Sequence, residues 1–269
     1  LGLKVSLGSW IDKDEKRNER EIRTAVELAR KHHNVTSIVV GNETIYRAEK
    51  TVPELMELIQ RVKRESQLPV TTGEIWSVWV EHPELASVVD FIGAHILPYW
   101  EGFSAQQTAD LTIEFYNRLR RVHPGKRVVI SEFGWPSAGY NRRDADPGYF
   151  EQAQLIREFV GRADALGIDY NIIEAYDQPW KTFEGSVGPY WGLWDAHGKQ
   201  KFAWTGPIIN PEHVKLAGLA LLLGFLLSLP ILTMVTATAS QAALLAVAAH
   251  AVGGWGAAVF AFWNGHYFV

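Results

Sequence analysis

Two glutamates close β-branched runs, and their setting is the most chemically suggestive feature of the chain. Val128-Val-Ile-Ser-Glu-Phe-Gly-Trp-Pro-Ser137 carries Glu132 and is then stopped by Gly134 and Pro136. Val35-Thr-Ser-Ile-Val-Val-Gly-Asn-Glu43 has the same form and ends on Glu43. Each reads as a buried strand that finishes abruptly on a carboxylate. Two carboxylates delivered at the same end of parallel strands, with aromatics beside them, suit glycosidic cleavage. That reaction needs one neutral carboxyl to protonate the leaving oxygen and one ionised carboxylate to attack or to activate water. A single strand-end glutamate serves equally as a helix cap or an arginine partner. Its repetition beside Asn42 and Trp135 favours the chemistry. Glu74 ends a further strand and ranks third, because it lacks the Gly-Asn context.

The elements that must hold these groups alternate along the chain. Strand-like runs cover 3–10, 35–43, 68–74, 88–97, 128–132 and 168–176. Helical periodicity covers 18–32, a segment opening at Pro53, 105–122 and 147–166. Six strands alternating with helices predict parallel βα units. A doubly wound sheet shares that alternation, but no Gly-rich phosphate loop follows any strand. Polar and aromatic residues cluster after the strand ends, as on the C-terminal face of a barrel. The fold expected is an α/β (β/α)8 TIM barrel with about six of its eight strands present, the first two lying before Leu1.

Composition narrows the function classes. The chain has 269 residues, a formal net charge of −4 and no cysteine, so disulfides and thiolate metal sites are excluded. Mild acidity without a basic cluster gives no reason to expect nucleic acid. The adjacent His32 and His33 would face different sides of a helix, and no His-Glu-x-x-His spacing occurs, so neither metal nor cofactor is expected. No Gly-x-Ser-x-Gly elbow supports a serine hydrolase.

From Pro211 the composition changes. Residues 216–235 form an uncharged run of 20, long enough to span a bilayer, and 241–263 form a second, weakened by alanines, His250 and Gly253-Gly254. Residues 1–209 are thus expected to form the barrel and 210–269 a membrane region with a transmembrane helical hairpin. Lys199, Lys201 and Lys215 precede the first span, and a literal positive-inside count would leave the barrel in the cytoplasm.

At its motifs the sequence resembles glycoside hydrolase family 17, the β-1,3-glucanase and β-1,3-glucanosyltransferase barrels. Val40-Gly-Asn-Glu43 looks like that family's acid/base strand and Ser131-Glu-Phe-Gly-Trp-Pro-Ser137 like its nucleophile strand. Tyr176-Asp-Gln-Pro-Trp-Lys181 followed by Tyr190-Trp-Gly-Leu-Trp194 is similar to its closing segment. The resemblance covers about residues 3–207. It implies a retaining enzyme on β-1,3-glucan, hydrolase or transglycosylase, with Glu43 as acid/base and Glu132 as nucleophile, their carboxyls about 5–5.5 Å apart. Two departures stand out: the family's first two strands have no counterpart, and Gln178 replaces an acid found in many relatives.

Asn42 is placed to bond a sugar hydroxyl, or to cap the strand end. Trp76 and Tyr99, with their neighbours Trp79 and Trp100, could stack on glucosyl rings or fill the core. Trp135, Tyr176 and Lys181 complete the substrate-binding candidates; Lys181 could equally be a solvated surface lysine. His95 reads as a satisfied core histidine. The resemblance extends to bacterial proteins that join such a barrel to membrane helices. It therefore implies an inner-membrane, multi-pass protein with a periplasmic barrel, its partners being β-glucan or oligosaccharide and the lipid bilayer. Two alternatives remain: an accessory barrel of a membrane β-glucan synthase with a family 2 glycosyltransferase module further along the chain, and a non-catalytic glucan-binding module.

Overall fold

The computed structural model describes residues 2–208, 215, 218–219, 221–226 and 238–264, with side chains as far as Gly256 in the last stretch. Two compact units emerge, Leu1–Trp135 with Leu155–Ile173, and Pro136–Gln154 with Glu174–Val269.

The first unit is built on six strands: β1 (Val5–Ser9), β2 (Val35–Asn42), β3 (Val70–Ile75), β4 (Phe91–His95), β5 (Arg127–Phe133) and β6 (Asp169–Ile172). Each is hydrogen-bonded to the next, all in parallel, in the order β1-β2-β3-β4-β5-β6. A doubly wound sheet would reverse direction at a switch point; this order never does, so the sheet is an arc of a barrel. Among the described residues neither β1 nor β6 has a further strand beside it.

Helices α1 (Glu15–Lys31), α2 (Val52–Ser66), α3 (Trp76–Glu81), α4 (Pro98–Glu101), α5 (Ala105–Val122) and α6 (Tyr149–Leu166) connect the strands. Their starts are written locally. The Asp14 side chain accepts from the Arg17 amide at 3.1 Å and caps α1. Glu54 accepts from both the amide and the hydroxyl of Thr51 at 2.7 Å, closing a capping box on α2 with Pro53 in its first turn. Ile22, Leu55 and Ile59 on the helices and Ile38 and Ile92 on the strands are wholly buried. Phe133 of β5 stacks on Phe159 of α6 with centroids 3.7 Å apart. Ser6, Ser37, Thr71 and Ser131, on alternate positions of their strands, line a cavity of about 550 Å³ on the other face of the sheet.

The described part of the second unit is held by backbone bonds and by side chains. The Lys201 ammonium donates to Asp177 at 2.6 Å, to the Ser137 hydroxyl at 2.7 Å and to the Tyr190 carbonyl at 3.2 Å. The sixth strand is shorter than the 168–176 expected. From Glu174 onward the backbone bonds instead to 191–194, Glu174 N to Trp191 O and Trp194 N to Ala175 O, which removes those residues from the ladder.

Two membrane spans were expected. Among the described residues no helix is long and apolar enough to cross a membrane. The first expected span, 216–235, and the boundary at 209/210 lie largely outside the described residues. The second coincides with α7 (Ala239–Asn264), an uncharged helix of 26 residues. Its side chains are described only as far as Gly256, so the rest of that expected span lies outside the described residues.

Candidate active site

Glu43 owes its position to a strained turn. β2 ends at Asn42, Gly41 has φ +83° and Glu43 itself has φ +52°, a left-handed backbone that costs a non-glycine residue about 1–2 kcal/mol. Several bonds hold it there. The Glu43 amide donates to the Gly73 carbonyl at 2.6 Å, and the Arg47 amide donates to the Glu43 carbonyl at 2.8 Å. Glu74, fully buried at the end of β3, accepts from the amides of Ile45 at 2.8 Å and Tyr46 at 3.4 Å. The turn after β2 is thus anchored to the neighbouring strand, and a carboxylate is held on strained backbone in the way functional sites often require.

Glu132 arrives on β5, where Ile96 donates to its carbonyl at 3.0 Å. Between the two acids lies His95, at the end of β4 and 2% exposed. Its Nδ1 is 3.0 Å from Glu43 Oε1 and its Nε2 is 3.6 Å from Glu132 Oε1. One ligand-capable atom from each of the three residues lies within 4.8 Å of the others. The two carboxylates therefore face one point in space, and both remain partly open, at 22% and 24% side-chain exposure.

The electrostatics of this cluster follow from burial against charge. Burial disfavours an imidazolium at His95. The Glu132 carboxylate, and the charge and hydrogen bond of Glu43, outweigh it and hold the histidine above its ordinary pKa. Glu74 goes the other way for a carboxyl. Burial pushes it up to about 6, the amides of Ile45 and Tyr46 pull it back, and the charge of Glu43 adds to the rise. Gly73 is a glycine for a steric reason: a Cβ there would sit 2.6 Å from His95 Nε2 and 3.4 Å from Asn42 Oδ1. Asn42, His95 and Glu132 all line the 550 Å³ cavity.

Among the described residues, Glu43, His95 and Glu132 are the group of acids and histidines close enough to share a cation. A metal would need the imidazole neutral, with a lone pair turned inward.

The remaining sequence candidates separate. Trp76 stacks on Phe115 with centroids 4.0 Å apart and donates its indole N–H to Glu101 at 2.8 Å, which is packing between α3 and α5. Tyr99 and Trp135 are buried at 3% and 0% exposure and meet edge-on at 5.6 Å. Both belong to the core of the first unit, so neither offers an open ring. Tyr176 and Lys181 belong to the second unit. Tyr176 is exposed beside Trp194, and Lys181 pairs with Glu174 at 2.9 Å rather than standing solvated. Gln178 also donates to Glu174. Sequence reading missed His95 as a site residue and Glu74 as the anchor of the turn. The signal available for both was their place at the end of a strand, the same signal that singled out the two glutamates.

Comparison with known proteins fits this geometry. The family model of the BtgE/BtgC glycoside hydrolase domain matches residues 1–192. An Aspergillus flavus protein named "Probable glucan endo-1,3-beta-glucosidase btgC" is 29% identical over 229 residues, covering 74% of this chain and 33% of that protein. The chain thus spans about a third of the length of the curated relatives it matches. The crystal structure of a glycoside hydrolase family 17 β-1,3-glucanosyltransferase from Rhizomucor miehei superposes with a TM-score of 0.68 at 26% identity, covering 76% of this chain and 77% of the other. An active-site mutant of the Rhizomucor miehei β-1,3-glucanosyltransferase in complex with laminaritriose gives 0.66 at 26% identity, covering 74% of each chain. With a six-strand barrel arc, a paired acid site and a family match over most of its length, the chain belongs to the BtgE/BtgC glycoside hydrolase domain family.

Proposed function

We propose that this chain cleaves β-1,3-glucan with retention of configuration, Glu132 acting as nucleophile and Glu43 as acid and then base. The observation that carries it is the convergence of Glu43, His95 and Glu132 within 4.8 Å. An inverting pair would stand about 6.5–9.5 Å apart to admit a water between them. In the first step a Glu132 oxygen bonds to the anomeric carbon while the glycosidic bond breaks, and Glu43 gives its proton to the departing oxygen. In the second, a hydroxyl attacks that carbon, Glu43 takes its proton, and the ester to Glu132 is released. His95 orients Glu43 through the 3.0 Å contact and offers a proton-bearing nitrogen to Glu132.

The attacking hydroxyl belongs to water or to a second sugar, and the likeness to a β-1,3-glucanosyltransferase supports transfer. Incubation with laminari-oligosaccharides and sizing of the products tests both points. Products longer than the donor mean transfer, shorter ones alone mean hydrolysis, and inverted anomers would sink the retaining mechanism. Glu43→Gln should lower kcat/KM on laminarin by about 10²–10⁴-fold. It should spare the first step on an aryl glucoside whose leaving group needs no proton, whereas Glu132→Gln should abolish both. Unchanged activity in either variant overturns the assignment.

We further propose that residues 210–269 tether the domain to a bacterial inner membrane, with the barrel on the periplasmic side and a glycosyltransferase module in the same full-length chain. The uncharged character of 216–235 and 241–263 supports the tether alone. Carbonate extraction of the full chain from membranes tests the tether, and release into the supernatant overturns it.

A further inference from the structure

Resting on that reading of the site, we propose that Trp10 is a stacking platform for a glucosyl ring of the bound β-glucan, one residue beyond the end of β1 and beside the turn that carries Glu43. Trp10 is an exposed tryptophan, open over 42% of its surface, yet it is fixed on several sides. The Arg47 guanidinium lies 4.2 Å from the ring centroid and covers one face. The indole N–H donates to Asp12 at 3.2 Å, and Asp12 is itself held by Arg17 at 2.7 Å. The Trp10 amide donates to Glu21 at 3.3 Å.

The same Arg47 ties this ring to the acid pair. Its guanidinium donates to the Asn42 carbonyl at 2.8 and 3.1 Å, and its amide donates to the Glu43 carbonyl at 2.8 Å. The same arginine thus lies against the ring and on the backbone of the turn that carries the acid. An open aromatic ring held in place beside the acid-bearing turn presents a preformed apolar face to a ligand in the site. Its ligand must be flat, apolar on its faces and polar at its rim. A β-linked glucopyranose meets all three conditions, because its equatorial hydroxyls leave C–H groups on both faces to sit against the negative face of an indole. Neutral sugar also suits a ring whose other face already carries a cation. A ring held beforehand pays little ordering entropy on binding.

The test uses the full chain as wild type, Trp10→Ala, Trp10→Leu and Trp10→Phe, with laminarihexaose and a short aryl β-glucoside as substrates. Trp10→Ala should raise KM for laminarihexaose about tenfold and leave kcat within about twofold, since the platform binds without touching the reacting atoms. Turnover of the aryl glucoside should not change, and Trp10→Phe should keep most of the affinity. Titration of laminarihexaose into Glu132→Gln with and without Trp10→Ala should show the same tenfold weakening without turnover. Equal affinity in the two titrations overturns the proposal, as does equal loss on both substrates. If Trp10→Ala fails to fold, Trp10→Leu decides: full affinity without an aromatic ring overturns the proposal. If the wild type neither cleaves nor extends any laminari-oligosaccharide, the functional reading falls, and the platform is judged by the titration alone.

Discussion

His95 and Glu74 explain how two strand-end glutamates become a coupled site. The imidazole keeps both acids aligned to one point, and Glu74 fixes the turn from which Glu43 projects. The raised pKa of Glu74, about 6 against 4.5, makes a claim about stability. A carboxyl whose folded pKa is raised contributes stability that is fully present below its unfolded pKa. That contribution is lost as pH rises through the folded value. Here the loss spans pH 4.5 to about 6 and amounts to about 2 kcal/mol. Thermal denaturation across that window should show Tm falling in wild type with a slope that Glu74→Gln reduces. Parallel curves for the two proteins would show that Glu74 is already ionised at low pH.

The elements act on the site through spacing. β3 lies between β2 and β4, the strands that carry Glu43 and His95, and Gly73 is where a side chain would intrude. Gly73→Ala should press the new Cβ against the His95 imidazole, 2.6 Å from Nε2. The overpacking cost is about 1–3 kcal/mol in stability. The loss in kcat/KM should be larger, about 10²-fold, because His95 no longer aligns both acids. Adding His95→Ala to Gly73→Ala should cost little more activity, since both changes remove the same alignment. Additive losses would show that Gly73 acts by another route.

At the scale of the molecule, the first unit presents a six-strand arc whose edge strands β1 and β6 have no ladder partner among the described residues. Closing a parallel barrel of this type takes eight strands. Unpaired edges and an inner face with a 550 Å³ cavity make residues 1–208, produced alone, prone to self-association. Light scattering should report oligomers. A monodisperse monomer would mean the edges are protected by other means.

Much of this molecule was legible in sequence because it is local. β-branched runs and helical spacing located α5 at 105–122, and placed α1, α2 and the first five strands to within a few residues. The motifs around Glu43 and Glu132 were legible for the same reason: each acid sits at a fixed offset from a strand end. What a sequence cannot state is which side chains meet across strands. His95 and Glu43 are 52 positions apart and touch only because β2, β3 and β4 lie side by side in parallel register. The aromatic candidates divided for the same reason. An indole is open or buried according to its neighbours, so tertiary packing alone put Trp76 against Phe115, closed Trp135 into the core, and left Trp10, which the sequence did not single out, open against Arg47.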